Sequence, residues 1–129
     1  MYLEDDMSSI SIGKGFTMGS GHIAATEGKS IAIGDDCMFS DDIEIRNGDS
    51  HSICDKNGNR INHAKDVRIG NHVWLTAHVR VLKGSSIADG SVIANSSIVT
   101  SRLETPNAVY GGMPVSVLKS DITWKRPRN

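Results

Sequence analysis

The sequence predicts an all-β fold, a parallel β-solenoid wound with three short flat faces to each turn. Three observations carry that prediction. Ile69, Leu75, Val81, Ile87, Ile93 and Val99 fall at a strict six-residue interval, with Gly70 directly after the first. A second ladder, Val67, Val73, Val79, Ser85, Ser91 and Ser97, runs two positions ahead of it. Aromatic content is only 5%, as a column of aliphatic residues requires and an interlocked aromatic core does not. Neither a helix, with its 3.6-residue period, nor a plain strand, with its period of 2, produces a repeat of six. A chain that buries one aliphatic side chain at every sixth residue stacks coil on coil, each rung contacting only its neighbours.

Taken in order, residues 1–9 (MYLEDDMSS) are a polar lead-in, acidic where a signal peptide is basic. Residues 10–45 form a first block of coils, with Ile12-Gly13, Met18 and Ala24 in an early register and Ile33-Gly34, Phe39 and Ile45 in a later one. The two registers differ by three residues, and the break lies near His22–Lys29. Ile45 and Ile69 are 24 residues apart, four whole repeats, so the phase carries across what separates them. That intervening stretch, 46–66, holds Asn47-Gly48 and Asn57-Gly58 and almost no aliphatic residues. It is too long for a corner, and its turn-formers predict a loop extruded from the solenoid. Residues 67–103 form the second and most regular block. The repeat stops at Pro106 and a tail, 106–129, follows. The whole chain, 1–129, has the length of one small domain.

Bulk composition narrows the function. Lys and Arg total 14 against 15 Asp and Glu, so no net charge recruits nucleic acid or an anionic membrane. No apolar run approaches the length of a membrane span. Cys37 and Cys54 share no CxxC spacing and read as reduced thiols of a cytoplasmic protein. The five histidines, His22, His51, His63, His72 and His78, contain no H-x4-H pair, and His72 and His78 occupy equivalent corners of successive repeats. No metal site is expected from them, which argues against a zinc hydratase on this scaffold. Regular T-x-T rows, which an ice-binding or purely structural solenoid often shows, are absent.

The runs IGNHVWLTAHVRVLKG, IADGSVIANSSIVT and VYGGMPVSVLK resemble the C-terminal half of the hexapeptide-repeat acyltransferases. Upstream, IGDDCMFSDDIEIRNGDSHSI, RIN and KDVRIG are similar to their sugar- and polysaccharide-modifying O-acetyltransferase branch. The resemblance covers roughly residues 31–125. It implies a left-handed parallel β-helix, a homotrimer and acetyl-CoA as donor. Left-handed winding opposes the usual crossover rule, so that expectation rests on the resemblance alone.

Acetyl transfer to a hydroxyl needs a base for the acceptor proton, a donor for the oxyanion and alignment of two substrates. His51 matches the family's catalytic loop histidine, and an imidazole exchanges protons near neutral pH. The bland alternative is an exposed loop residue. Asp49 either orients that ring, binds the acceptor, or is an Asx-turn residue beside Gly48. Trp74 precedes the buried Leu75, so its ring should point outward. The resemblance places it along the acceptor and pantetheine groove, with subunit packing as the alternative. Thr76-Ala77 stands where the family commonly has a Gly-small pair. Asn95, Ser96, Ser97 and Thr100 correspond to the small-residue strip that contacts the pantetheine arm, with Asn95-Ser96-Ser97 replacing the usual Ala-Gly-Ser. Lys119 matches the basic residue that follows G-x-P and meets the nucleotide 3′-phosphate, acting there as a point charge. Arg102, Lys83, Lys125 and Arg126 are further candidates for that anion. Gly111, Gly112 and Pro114 should set the turn that closes the last coil.

The resulting expectation is an acetyl-CoA-dependent O-acetyltransferase acting on a sugar or surface-polysaccharide precursor. Transfer is direct, with His51 as general base and no acyl-enzyme, because neither cysteine has a paired base. Two alternatives stay open: N-acetylation of an amino sugar, and a catalytically silent β-helix module, which the short N-terminus favours.

Overall fold

A computed structural model describes residues 1–3 and 7–129; the acidic Glu4–Asp6 stretch of the lead-in lies outside the described residues. The chain winds through three parallel sheets in rotation, one on each face of a triangular solenoid. Face one holds Ser9–Ile12, Ser30–Ile33, Val67–Ile69, Ser86–Ile87 and Arg102–Leu103. Face two holds Thr17–Met18, Met38–Phe39, Trp74–Leu75, Val92–Ile93 and Val109–Gly111. Face three holds Tyr2–Leu3, Gly21–Ala25, Ile43–Arg46, Arg80–Val81 and Ile98–Val99.

The six-residue ladder becomes three inward columns. Ile33, Ile69, Ile87 and Leu103 stack on face one. Phe39, Leu75, Ile93 and Tyr110 stack on face two. Ile45, Val81 and Val99 stack on face three. All of them are buried, and so is the second ladder. Its change from valine to serine costs little, because Ser85 Oγ donates to Val99 O and Ser91 Oγ to Ala88 O, satisfying hydroxyls that are out of water.

The first coil corrects the expected register. Ile12 pairs with Ile33 and Met18 with Phe39, but Ile45 pairs with Ile23, not with Ala24. Ala24 instead lies between Tyr2 and Arg46. The three-residue shift is therefore a corner one residue short followed by a corner lengthened by four residues. Gly21 permits the short one: at φ 149° it sits where any Cβ would overlap Ile43 O. The long corner, Thr26–Lys29, reappears below in the candidate site.

The glycine after the aliphatic residue also has a cause. At the corner between faces one and two, Lys14 N donates to Asp35 Oδ1, Asp35 N to Asn71 Oδ1, and Asn71 N to Asp89 Oδ1, each at 2.7–2.8 Å. Every such Asx side chain folds onto the coil before it and lies against Gly13, Gly34 or Gly70, where a Cβ would overlap its oxygen. Glycine is required there for close approach, not for a left-handed φ.

Residues 47–66 contain no strand, only an isolated bridge between Cys54 and Arg60, so the loop leaves the solenoid as expected. Its base closes through Lys65 N to Asn47 O, 2.9 Å. After the last coil the chain turns at 112–115, and Ser116–Lys119 returns antiparallel on Val109–Gly111. The rest of the tail runs down the outside of the solenoid as a strap. Ile122 N donates to Asn107 O, Trp124 packs flat on His72 (3.8 Å between ring centres), and Arg126 reaches Asp36, Thr17, Gly15 O and Cys37 O.

Candidate active site

The extruded loop leaves at the corner between faces three and one, and a five-residue turn, 49–53, presents His51 at its centre. Asn62, 5% exposed, splints that turn. Its Nδ2 donates to His51 O (2.8 Å) and to Asp49 Oδ2 (3.0 Å), and its Oδ1 accepts from Ile53 N (2.8 Å). Lys83 Nζ, from the corner of the next coil, pairs with the same Asp49 oxygen. That hydrogen bond from Lys83, more than the one from Asn62, holds the Asp49 carboxyl below the usual carboxylate range. Asp49 is thus a fixed anion at the loop base. His51 is exposed, and neither ring nitrogen makes a hydrogen bond among the described residues.

Arg60 continues the network. Its Nη1 and Nη2 grip Glu27 at 2.6 and 2.9 Å, and its Nε donates to Asn62 Oδ1 at 3.1 Å. Glu27 sits in the long corner of the first coil, so the corner that breaks the register meets the loop. The paired guanidinium lowers the Glu27 carboxyl from its ordinary value. Gly48 lets the two approach, since a Cβ there would overlap Thr26 Cγ2.

Apart from Thr100, the residues expected to hold the donor lie elsewhere. Ala77, Asn95 and Ser96 stack at the corner between faces two and three, where Ser96 N donates to Ala77 O at 3.1 Å. Backbone N–H groups of Ala77 and Asn95 meet no acceptor among the described residues. Thr76 keeps its hydroxyl to itself, bonding Ile93 O at 2.7 Å. Trp74 points outward from face two, as its position before Leu75 requires, but it is half-buried because the strap covers it: its ring lies 5.9 Å from that of Trp124. Its Nε1 is out of water and has no acceptor among the described residues. Lys119 is exposed on the returning strand of face two. Thr100 is exposed at the loop's corner, in a groove it shares with Lys65, Lys83 and Arg102.

One protomer therefore does not bring His51 to Trp74. Face three separates Ala77 from Lys83, six residues that at ~3.3 Å each span up to about 20 Å. Sequence reasoning missed Glu27, Arg60, Asn62 and the strap residue Trp124. The register break facing the loop was the available signal for Glu27. Arg126, a candidate for phosphate, is engaged on Asp36, whose carboxyl is lowered first by His72 and then by Arg126. No cluster of three or more His, Cys, Asp or Glu is arranged to hold a metal ion among the described residues.

Comparison with known proteins bears on this arrangement. No family model matches the chain. Over 111 residues, 85% of its length, it is 44% identical to the polysialic acid O-acetyltransferase of Neisseria meningitidis, covering 52% of that protein. The solved structure of the polysialic acid O-acetyltransferase OatWY superposes with a TM-score of 0.83 at 34% identity, over 99% of this chain and 67% of that one. A hexapeptide-repeat acetyltransferase of Vibrio cholerae shares the fold at a TM-score of 0.71 and 21% identity, over 92% of this chain and 69% of that one. The chain spans about half the length of the curated relatives it matches. With its stacked six-residue rungs and these similarities, the chain belongs to the hexapeptide-repeat acetyltransferases, left-handed parallel β-helices, in their sugar O-acetyltransferase branch.

Proposed function

We propose that the protein is an acetyl-CoA-dependent O-acetyltransferase whose acceptor is a hydroxyl of a sugar or surface polysaccharide, and that it works as a homotrimer with each site shared by two copies. The observation that carries the reading is the splinted turn. A buried amide and an ion pair fix the backbone on both sides of His51, yet leave its ring unpaired and exposed. A loop residue held so firmly with both nitrogens free is placed to take a proton from a bound hydroxyl.

The opposite corner fits a thioester donor. An extended pantetheine arm needs exposed backbone donors and small side chains, and Ala77 and Asn95 supply two unpaired N–H groups one coil apart. The buried, unpaired indole N–H of Trp74 awaits an acceptor from a bound molecule or a neighbouring copy, since such groups are rarely left unbonded. Ser96 flanks the arm, Thr100 lies by the loop, and Lys119 offers an exposed charge for the nucleotide phosphates. Acetyl-CoA bound there supplies the thioester carbonyl that the acceptor oxygen attacks. His51 removes the acceptor proton, and Asp49 fixes the base of its loop through Lys83 and Asn62. Cys37 takes no part: burial pushes its thiol pKa up.

Two variants test the base and the sharing together. His51→Ala should lower kcat by about 10²–10⁴-fold, the share of a general base. Ala77→Trp should block the donor corner. Mixed by unfolding and refolding, the two inactive proteins should regain activity, because about a quarter of sites in random assemblies combine an intact loop with an intact corner. No recovery on mixing would confine the site to one copy, and full activity in His51→Ala would remove the base.

A further inference from the structure

We propose that Asn62, held by Arg60 and Glu27, is a positioning residue that fixes His51 for proton transfer; this rests on the proposed function above. The physical case is the concentration of bonds on one buried amide. Asn62 contacts the turn at Asp49, at His51 itself and at Ile53, so three fixed points bracket the imidazole. A two-residue reach on each side leaves the turn little freedom to swing. Ser50, at φ 70°, lies in the left-handed region for a non-glycine residue, a conformation that persists only where its surroundings hold it.

Asn62 is held in its turn. Its Oδ1 accepts from Arg60 Nε as well as from Ile53 N, which settles the amide's orientation: the oxygen faces two donors and the nitrogen two acceptors. Arg60 anchors to Glu27 by a two-pronged contact, the geometry that restricts a guanidinium most. Glu27 is itself at φ 55°, in the corner lengthened by four residues. That lengthening is not needed to turn this corner, since Val81 and Ile87 pass from face three to face one in the regular six residues. It places a carboxylate under the loop and ties the loop to coils one and two, while Asp49 and Lys83 tie it to coil three. The relay from Glu27 through Arg60 and Asn62 to the turn touches neither ring nitrogen, so it acts on where His51 stands and not on its proton directly.

The test is a double-mutant cycle on the assembled protein, with turnover measured by release of free thiol from acetyl-CoA and folding checked by circular dichroism. Asn62→Ala should lower kcat by about 10²-fold, the cost of misplacing a reacting group by about 1 Å, while the KM for acetyl-CoA stays within about twofold. In a His51→Ala background the same substitution should change the residual rate by less than about twofold, since there is no base left to position. A full further loss in that background would show that Asn62 acts on something other than His51 and would overturn the inference. So would a kcat within threefold of the parent in Asn62→Ala alone. Arg60→Lys keeps a charge for Glu27 but loses the Nε donor, and it carries the same two outcomes if Asn62→Ala does not fold. If His51→Ala itself retains activity, the proposed function fails first, and the two failures are told apart.

Discussion

Gly70→Ala puts a single methyl group where coil four folds onto coil three. The Cβ would overlap Asp89 Oδ1 and lie 2.9 Å from Asp89 N and 3.1 Å from Ile87 O. Asp89 must swing away, releasing its 2.7 Å bond to Asn71 N. A hydrogen bond to a charged acceptor contributes about 1.5–3 kcal/mol, and Asn71 is exposed, so water recovers part of it; about 1–1.5 kcal/mol is the loss to expect. The backbone contacts persist after Asp89 has moved, and overpacking of that kind costs about 1–3 kcal/mol. The sum is about 2–4 kcal/mol. With a urea m-value of ~2 kcal/mol/M for a domain of this size, the midpoint should fall by about 1–2 M. Asp89→Ala alone loses only the cap. The double variant loses the cap once, so its cost should fall short of the sum by about 1–1.5 kcal/mol. Ala88 shows that the change is tolerated where no Asx lies opposite, because Asn107 falls over Gly90 instead. Unfolding would be followed by far-ultraviolet circular dichroism at one protomer concentration. A midpoint within about 0.3 M of the parent, or strict additivity with Asp89→Ala, would refute the steric account of the repeat's glycine.

The strap should respond to acid. Asp36 has its carboxyl lowered by His72 and Arg126, so its contribution is present above the ordinary value of 3.8 and is lost as pH falls through the lowered folded value. Trp124 emission should shift to the red only below pH 3.8, and Asp36→Asn should abolish that acid step; an identical step in the variant would mean that Asp36 does not hold the strap. At the proposed donor site, Lys119→Glu should raise the KM for acetyl-CoA strongly, less so at high salt, with kcat little changed. An unaltered KM would move the phosphate site, with Arg102 next in line.

The coil stack was legible because the six-residue period is enforced by burial: Leu75 or Ile93 one place out of phase would face water. The first coil was harder to read. Met18 to Ala24 keeps the period, yet Gly21 shortens the corner and puts Ile23 in the column, a backbone feature with no hydropathy signal. In the loop, GDSHSI made His51 visible through its resemblance to a family, whereas Asn62 and Arg60 carry no pattern of their own. Their roles come from where the loop folds back, and that is set by Glu27 about thirty residues earlier in the chain. Arg126 looked like one more tail cation until its contacts with Asp36 and two carbonyl oxygens placed it on the strap.

The candidate site residues divide mainly between two corners of the triangular coil. A loop emerging at one corner of a rigid solenoid points away from the other two, and a fully hydrogen-bonded face lies between. His51 and Asp49 at one corner, and Trp74, Ala77 and Asn95 at and beside another, can meet only if a second copy turns its donor corner toward the first copy's loop. Three copies about a threefold axis satisfy that requirement at every site, and a heterologous contact of this kind closes when the rotation is a third of a turn. The exposed Ile98 on face three, outward beside Arg80, is the kind of apolar residue such a contact would cover. On this reasoning the strap has a second consequence. By packing Trp124 between Trp74 and His72 it fixes how far the indole reaches from face two, and so would set one wall of the space between copies in the proposed trimer.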